Sequence, residues 1–255
     1  MKISVLAGHG ASTAVLLNWL LQKGYDDIDL ILEARPGRVS QLRRRARRQG
    51  WSRTLGQALF MAVIVPLLRR ESAARRRELL DESGVDEQMP TLPRRLDVSS
   101  INDAAALRRL QSYDPDVVLV NGTSILRAPT LSAVPVRFIN THVGLTPYYR
   151  GVHGGYWALW NQDAENFGST LHLIDEGVDT GGILAQVTVT PKSRDNFASY
   201  PLLQQTAILE SLRHLLERIA QGDPVEPLPA PSEQGRQWSH PTAFDYLQGR
   251  FRGVR

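Results

Sequence analysis

The chain has no cysteine among its 255 residues, which excludes disulfide bonds, thiolate metal sites and a cysteine nucleophile and leaves the redox compartment open. It also lacks any run of about 18 uninterrupted apolar residues, the length that a membrane-spanning helix needs. The opening stretch "MKISVLAGHGAST" is too short in its apolar part for a signal peptide. Together these absences predict a cytoplasmic protein without a transmembrane segment.

Acidic residues do not balance the basic ones locally, although the formal net charge is only +4. Much of the arginine lies between Arg35 and Arg77, in the runs "RRRARR" (43–48) and "RRESAARRR" (69–77). Such runs most often form a solvated helix face, while attraction of an anionic substrate or a membrane surface remains open. The arginines are not interleaved with aromatic residues and no recognised nucleic-acid-binding module accompanies them, so we expect no nucleic-acid partner.

The first third of the chain has the order of an α/β fold. "KISVLAG" (2–8) is a β-rich run ending in glycine, a helix-compatible "STAVLLNWLLQKG" follows, and "DIDLILEA" (27–34) is a second strand. This order predicts a Rossmann-like, doubly wound and mostly parallel sheet. The turn "AGHGAS" presents backbone N–H groups at a helix N-terminus, which suits an anion such as phosphate, although it is not a full dinucleotide fingerprint.

The later part of the chain continues this pattern. "PDVVLVNG" predicts a buried parallel strand, and "YPLLQQTAILESLRHLLERIAQG" (200–222) predicts an amphipathic helix. "MPTLPRRLDVSS" (89–100) is expected to be a proline-punctuated connection, and the tail a proline-rich strap that leads to a short helix. Three further strands are expected, at 136–140, 168–175 and 183–191.

Residues 36–90 are expected to form a helical, arginine-rich insertion. Its stretch "WSRTLGQALFMAVIVPLLRR" contains an apolar run, 55–68, that Pro66 interrupts and arginines flank. The run is too short to cross a bilayer, which favours a helix packed on the domain, with a helix lying in a membrane interface as the alternative.

A strand end followed by turn-forming residues marks the first candidate site, "FINTHVGLTPYYRG" (138–151). Asn140 and His142 are two residues apart, so on an extended strand their side chains point the same way. An amide donor beside an imidazole suits a carbonyl whose oxygen becomes negatively charged. Taken alone the pair is weak, because a histidine at a strand end is more often structural.

A second polar cluster lies in the loop "IDEGVDTGGIL" (174–184), between two predicted strands. A carboxylate from Asp175, Glu176 or Asp179 would orient His142, raise its pKa and relay protons through water. The alternative is an ordinary turn, since aspartate and glycine are common turn formers.

The two stretches together resemble the folate-dependent formyltransferase family, which includes glycinamide ribonucleotide, methionyl-tRNA and amino-sugar formyltransferases. The family pattern is Asn-x-His, a loop and Arg-Gly, followed further along by an Asp-x-Gly-x-Asp-Thr-Gly-like loop; this chain has "NTHVGLTPYYRG" and "DEGVDTGGIL". The similarity covers residues 1–10 and 113–190 and leaves the insertion and the tail outside the shared pattern. It implies a catalytic domain over 1–190 and a C-terminal helical extension and tail over 191–255.

The resemblance implies that Asn140, His142 and Asp179 are the catalytic residues and that 10-formyltetrahydrofolate is the formyl donor. It implies no metal, and the sequence has no cluster of histidines and carboxylates that argues for one. The loops at 121–126 and 175–180 would form the walls of the folate pocket. The residues expected to contact folate are Asn121, Gly122, Ile125, Leu126, Asp175, Glu176, Gly177, Val178 and Thr180.

Departures from the family pattern concern the acceptor. The family's serine is Gly144 here, a leucine is replaced by Thr146, and the glycine turn only partly matches that of glycinamide ribonucleotide formyltransferases. The C-terminal region lacks the β-rich domain of tRNA formyltransferases, which disfavours tRNA. His172, His214 and His240 are expected to be structural. The residues expected to contact the acceptor are His9, Gly10, Ser12, Gly144, Thr146, Tyr149, Arg150 and His153.

The leading hypothesis is therefore an enzyme that N-formylates a small, anionic amine. A nucleotide-linked amino sugar is the first choice of acceptor, because basic side chains and a glycine turn suit a diphosphate; a secondary-metabolite amine such as hydroxyornithine is the next. The alternatives are a formyl-tetrahydrofolate hydrolase on the same scaffold and a non-catalytic module that docks on a membrane or polyanion. The amphipathic C-terminal helix and the insertion offer surfaces for a homodimer.

Overall fold

A twisted sheet lies at the centre of the structure, a computed structural model that describes residues 1–35, 37–175, 177, 179–229 and 235–255. Within these residues seven strands form the sheet, in the order β3-β2-β1-β4-β5-β7-β8, and β6 pairs with β9 in a separate two-stranded sheet. The strands are β1 (Ile3–Gly8), β2 (Ile28–Glu33), β3 (Arg95–Val98), β4 (Val117–Asn121), β5 (Phe138–His142), β6 (Tyr149–Gly151), β7 (Gly168–Leu173), β8 (Ile183–Thr188) and β9 (Arg236–Trp238).

Helices cover both faces of this sheet. In chain order they are α1 (Ala11–Gln22), α2 (Arg38–Gln49), α3 (Trp51–Leu59), a π-helical segment (Phe60–Ile64), α4 (Val65–Glu71), α5 (Ala73–Ser83), α6 (Ala104–Tyr113), α7 (Ala128–Leu131), α8 (Gly154–Trp160), a 3₁₀ turn (Ala164–Asn166), α9 (Tyr200–Ala220) and α10 (Ala243–Phe251).

The sheet is mostly parallel, as the sequence predicts. Strand β1 pairs in parallel with both β2 and β4, and β4 pairs in parallel with β5. Strand β7 then reverses direction and runs antiparallel to β5 and to β8. Because the chain builds outward from β1 in one direction and then returns to add β4 on its other side, a crevice forms beyond the carboxyl ends of these strands, where open α/β sheets bind their ligands.

The core follows from the alternation of side chains along the strands. Val5 of β1 faces the apolar cluster formed with α1 and α9, whereas the next residue, Leu6, faces the cluster formed with α6. Burial on both faces explains why the central strands read as continuous apolar runs. Strand β1 ends in Gly8 for a steric reason: a Cβ there would lie 2.3 Å from the carbonyl oxygen of Gly122.

Strand β3 corrects one prediction. The segment expected to be a connection contains a short strand that pairs in parallel with β2 at the edge of the sheet, with Arg95 opposite Leu30. The prolines that suggested a connection, Pro90 and Pro93, precede the strand and leave its ladder intact.

The insertion contains a longer helical run than the sequence indicated. Helix α3, the π-helical segment and α4 form one continuous run, Trp51–Glu71, whose length and composition alone would suffice to cross a membrane. We call it the insertion helix. Its buried residues include Phe60, whose ring packs on Phe197 and Tyr246 at centroid distances of 4.8 and 5.3 Å. One side of the helix therefore packs on the domain, as predicted.

Helix α9 packs across the sheet. Its residues Ile208, Leu212 and Leu216 are buried in the same apolar cluster as β1, β2 and β4. Helix α9 thus shares its core with the strands that precede it, and the division of the chain at residue 190 remains a proposal.

The C-terminal tail is held to the domain by polar contacts as well as by the β6–β9 pairing. The indole N–H of Trp157 donates to the carbonyl of Ser239 (2.9 Å), and that of Trp160 donates to the carbonyl of Asp245 (3.0 Å). The rings of His153 and His240 are hydrogen-bonded to each other, Nε2 to Nδ1, at 3.0 Å. This histidine pair joins the start of α8 to the tail.

Both histidines of this pair are held in the neutral form. Burial lowers the pKa of His153 to about 3, with a further contribution from His240. Burial also lowers the pKa of His240 to about 4, assisted by the charge of Arg45. In the unfolded chain both rings titrate near 6.5, so between about 4 and 6.5 the unfolded state binds more protons than the folded state.

We therefore expect the free energy of unfolding to fall as the pH decreases from 6.5 to about 4, by up to about 1.4 kcal/mol per pH unit for each ring. The substitution His240→Gln removes one titrating ring and should reduce that slope by about one proton. Urea denaturation at a series of pH values measures the slope. An unchanged slope in the variant would show that His240 is not a source of the acid sensitivity.

Candidate active site

Strands β5 and β7 bring three polar side chains together. Asn140 lies opposite His172 in the antiparallel register of these strands, and the amide Nδ2 of Asn140 is 3.0 Å from Nε2 of His172. The other ring nitrogen of His172, Nδ1, is 2.7 Å from the carbonyl oxygen of Leu173. Since a carbonyl only accepts, Nδ1 carries the proton and Nε2 accepts from Asn140. The second amide hydrogen of Asn140 thus remains available for another acceptor.

The role of His172 exceeds what the sequence predicted. We expected this residue to bond locally, and its contact with Leu173 is of that kind. Its ring also fixes the orientation of the Asn140 amide and approaches Asp179. Sequence spacing gave no signal for this contact, because it depends on the cross-strand register.

Asp179 connects the two histidines. Its Oδ1 lies 3.7 Å from Nδ1 of His142 and 3.6 Å from Nε2 of His172, while its Oδ2 accepts a hydrogen bond from the backbone N–H of Gly151 (2.8 Å). The backbone of Asp179 is in the left-handed region, with φ of 52°, which aspartate tolerates better than most residues. The loop after β7 is therefore folded back so that this carboxylate meets the end of β5.

The electrostatics of this group favour an ionised carboxylate beside neutral imidazole. Burial alone would raise the pKa of Asp179, but His172, His142 and the N–H of Gly151 together outweigh burial and lower this pKa to about 2. Burial lowers the pKa of His142 against the opposing charge of Asp179. His142 is thus neutral at neutral pH, and Asp179 is charged.

The tautomer of His142 follows from its hydrogen bond. Its Nε2 is 3.0 Å from the carbonyl oxygen of Tyr149, so Nε2 carries the proton and Nδ1 presents a lone pair. Nδ1 of His142 and Oδ1 of Asp179 are both acceptors. Their separation of 3.7 Å is longer than a direct hydrogen bond. The pair is therefore arranged to accept protons from a third group, such as an amine or a water molecule, while Asn140 offers an N–H beside it.

These side chains open into a cavity of about 780 Å³ at the carboxyl ends of β1, β4 and β5. Most of the residues predicted to contact folate lie on its wall, whereas Thr180 instead donates its hydroxyl to Asp175 (2.7 Å). Glu176 and Val178 lie outside the described residues. The predicted residues on the wall are Asn121, Gly122, Ile125, Leu126, Asp175 and Gly177, with Asn140, His142 and Asp179.

The residues predicted to contact the acceptor are mostly placed elsewhere. Among the described residues that line the cavity, Ser12 is the one taken from that set. Tyr149 is buried and donates its hydroxyl to Asp163 (2.8 Å), and Arg150 donates to the carbonyl of Gly235 (2.9 Å). These side chains stabilise the loop beneath the site. The set outside the lining is His9, Gly10, Gly144, Thr146, Tyr149, Arg150 and His153.

Gly144 has a steric reason to lack a side chain. A Cβ at this position would lie 2.6 Å from Nε2 of His142 and 2.5 Å from the carbonyl oxygen of Tyr149, which are the two atoms of the hydrogen bond that fixes the His142 tautomer. The residue that departs from the family pattern thus packs against His142.

Arginines of the insertion divide between the two expectations for them. Arg43, Arg44, Arg47 and Arg48 are exposed, as a solvated face requires, whereas Arg45, Arg69 and Arg76 line the cavity, where an anionic substrate would meet them. Arg76 is paired with Glu87, which also lines the cavity. The insertion folds back over the carboxyl ends of the strands, so its inner face becomes a cavity wall. His240, expected to be structural, lines the cavity too.

Metal ligands are not grouped in this region or elsewhere in the part of the chain that the structure describes, where no cluster of three or more histidine, aspartate or glutamate residues suits a metal ion. The expectation of a metal-free site remains a prediction.

Comparisons with known proteins place this arrangement in a family. The family model described as "Formyl transferase" matches residues 56–201. The match begins within the insertion, so the prediction that the whole insertion lies outside the shared pattern is wrong from residue 56 onward. Residues 1–10, which the resemblance included, lie outside the matched range.

Individual relatives match parts of the chain. A methionyl-tRNA formyltransferase from Roseiflexus sp. (strain RS-1) is 42% identical over 91 residues, which cover 35% of this chain and 28% of that protein. A GDP-perosamine N-formyltransferase from Brucella melitensis is 29% identical over 114 residues and 44% of each protein. The chain spans less than half the length of these curated relatives.

Solved structures share the fold. The N-formyltransferase from Helicobacter canadensis, determined in complex with folinic acid and dTDP-3-aminofucose, superposes with a TM-score of 0.57 at 14% identity, covering 93% of this chain and 71% of that one. The doubly wound architecture predicted from the sequence is thereby confirmed. Since the family model matches more than half of its residues, this chain belongs to the formyl transferase family.

Proposed function

We propose that this protein is an N-formyltransferase, which moves the formyl group of 10-formyltetrahydrofolate to the amine of a small anionic acceptor. The observation that carries the proposal is the convergence of one N–H donor, from Asn140, with two proton acceptors, Nδ1 of His142 and Oδ1 of Asp179, on the cavity wall. A carbonyl oxygen needs the donor, and an attacking amine needs the acceptors.

The cavity fits the formyl donor. Its walls combine apolar side chains, Val120, Leu126 and Ile174, with the backbone of the segment 121–126, a combination that suits a flat heterocycle with hydrogen-bonding edges. The donor supplies a formyl group on a nitrogen from which it can depart. Folinic acid in the Helicobacter canadensis protein of the same fold supports this assignment.

The chain's own groups then perform the transfer. Asp179, ionised, holds the neutral acceptor amine by an N–H and aligns its lone pair on the formyl carbon. Asn140 donates its free amide hydrogen to the formyl oxygen as negative charge develops there. His142 and Asp179 take the proton released by the amine. That proton returns to the departing folate nitrogen as the old C–N bond breaks and the new one remains.

Protonation changes the role of His142. While neutral, the ring uses its Nε2 proton on Tyr149 and has no N–H to offer the reacting oxygen. Once it has accepted a proton at Nδ1 it becomes a cation beside Asp179 and donates from that atom. The lowered pKa of His142 makes the proton easy to give back.

A nucleotide-linked amino sugar is the acceptor class we propose. Arg45 and Arg69 present positive charge to the cavity, and Ala11 and Ser12 place the N-terminus of α1 on the same wall. Guanidinium groups and a helix N-terminus both bind phosphate oxygens. The GDP-perosamine and dTDP-3-aminofucose named for two relatives are of this class.

Replacing Asp179 tests the chemistry. The substitution Asp179→Asn keeps the size of the side chain and removes its charge, and we expect the rate of formyl transfer to fall by about 10²–10⁴-fold. The absorbance of 10-formyltetrahydrofolate measures turnover, with and without a pool of nucleotide-linked amino sugars and other amines. The exposed Asp223→Asn is the matched control. Turnover without any amine, with release of formate, would contradict transfer and identify a hydrolase.

The pH dependence of the rate should follow the pKa of the acceptor amine and not the pKa of a protein group. With the pKa of Asp179 at about 2 and that of His142 below 6.5, both groups are in their working form at neutral pH and above. The acid limb of kcat/KM should therefore follow the amine, rising with pH until the amine is neutral. Two acceptors with different amine pKa values should give two different limbs. A limb that stays at one pH for both would assign it to a protein group instead.

Arg69 tests the acceptor class independently of the chemistry. The substitution Arg69→Gln should raise the KM for a diphosphate-linked acceptor by about tenfold or more, because a charge-assisted hydrogen bond contributes about 1.5–3 kcal/mol. The KM for the folate donor should not change. Arg70→Gln is the matched control, since Arg70 is exposed and outside the cavity lining. Equal KM values in the wild type, Arg69→Gln and Arg70→Gln would show that Arg69 does not bind the acceptor. The proposal of formyl transfer would not be affected by that result.

A further inference from the structure

The insertion helix carries a row of exposed apolar side chains. Trp51, Leu55, Leu59, Val63 and Leu67 follow one another at intervals of four residues, and each is between 50% and 61% exposed. Residues four apart lie on the same side of a helix. The row therefore forms a continuous stripe along the length of the insertion helix.

The opposite side of the same helix is fixed to the protein. Thr54, Gln57 and Phe60 are each 1% exposed or less, and Gln57 donates to the carbonyl of His240 (2.6 Å). Crossing a membrane would require Gln57 to leave the tail and Phe60 to leave Phe197 and Tyr246. A helix with one anchored side and one apolar exposed side is instead suited to lie in the plane of an interface.

A neighbouring helix extends the apolar surface. Helix α10 packs against the insertion helix, where Thr242 meets Gly56 and Tyr246 meets Phe60. Its own outward residues are Phe244, Leu247 and Phe251, which are 67%, 53% and 92% exposed. Two adjacent helices thus each expose a row of large apolar side chains, and surfaces of this kind on a folded protein mark a docking site.

Positive charge surrounds this surface. Helix α2, which is joined to α3 through Gly50, exposes Arg43, Arg44, Arg47 and Arg48, and Arg70 is exposed at the other end of the row. Across the described part of the chain, the ion pairs that arginines make do not involve any of these five. Their charge is free to meet a partner.

The combination of positive charge and apolar surface favours one of three possible binding partners, a second copy of the chain, a nucleic acid or a lipid bilayer. In a symmetric dimer the same patch would face itself, and the arginines of the two copies would be brought together. A nucleic acid would use the arginines but leave the apolar rows in water. A bilayer with anionic lipids satisfies both, since apolar side chains enter the boundary between headgroups and acyl chains while arginines meet lipid phosphates.

We propose that the insertion helix, α2 and α10 form a docking surface for a membrane that contains anionic phospholipid. The protein lies on such a membrane with the insertion helix in the plane of the interface. The apolar rows and the arginines beside them do not line the cavity, to which the same helices contribute Arg45 and Arg69 from another side. The assignment does not depend on the identity of the formyl acceptor.

Flotation of the full chain with vesicles tests the proposal. Vesicles of phosphatidylcholine and phosphatidylglycerol in equal parts should carry the protein upward, and vesicles of phosphatidylcholine alone should carry little of it. The pair Arg47→Gln and Arg48→Gln should lower the partition coefficient roughly 25-fold, since each basic residue near an anionic surface contributes about fivefold. The pair Leu55→Gln and Leu59→Gln should lower it by about tenfold or more, because two large apolar groups leave the interface.

A matched control separates this surface from net charge. Arg108→Gln and Arg137→Gln remove the same charge from exposed positions on α6 and before β5, and should leave flotation unchanged. Far-ultraviolet circular dichroism and turnover with a soluble acceptor verify that each variant is folded.

Three results would overturn the proposal. Failure of the wild-type protein to float with anionic vesicles is the first. An equal loss with the control pair, which would show attraction by net charge alone, is the second. The third is a dimer in analytical ultracentrifugation that the Leu55/Leu59 pair abolishes while vesicle binding stays unaffected, because the row would then belong to a second copy of the chain.

Discussion

The carboxylate of Asp179 is the group on which the site depends. It approaches both histidines, which lie on different strands, and its other oxygen accepts from the backbone of β6. The hydrogen bond from Gly151 thus holds one carboxylate where β5, β6 and β7 meet, at the cost of burial and of a left-handed backbone conformation. Strain and an unusual proton affinity at one residue are typical of functional sites, where the surrounding structure must hold a group that would otherwise relax.

The direction of β7 explains why this arrangement is possible. In a fully parallel sheet, the strand beside β5 would run in the same direction, and the loop that follows it would begin at the same edge of the sheet as the loop after β5. Because β7 runs antiparallel, His172 faces Asn140 from a strand that leaves in the other direction, and the following segment must return across the site. That return delivers Asp179 to His142. The antiparallel direction of β7 therefore accounts for the meeting of Asn140, His142, His172 and Asp179.

Local patterns in the sequence were enough to predict the sheet and part of the site. The strands β1, β2 and β4 are short, buried runs bounded by glycine or polar residues, and Asn140 and His142 share a face through the period of two. These features depend on residues that are neighbours in the chain. The contact of Asn140 with His172 depends on register between strands, which no local pattern contains.

The arginines of the insertion are a second case in which local sequence patterns do not predict contacts between distant segments. A run such as "RRRARR" reads as a solvated face, and four of its arginines are indeed exposed. Arg45, within the same run, lines the cavity instead. On α2, arginines one or two positions apart therefore differ in whether they face water or the cavity. Which side of α2 faces the cavity depends on how the insertion packs, and its partners, such as His240 for Gln57 and Asp195 for Arg75, are more than a hundred residues away in the chain.

The insertion helix meets three demands at once. One side holds Phe60 against Phe197 and Tyr246, one end contributes Arg69 to the cavity, and the remaining side is the apolar row. Exposed positions of a surface helix ordinarily tolerate many substitutions, because water accepts most side chains. Here the turns of the helix are divided among core packing, the cavity wall and the exposed apolar row, so substitutions on different sides of one segment would change stability, ligand binding and surface adhesion separately.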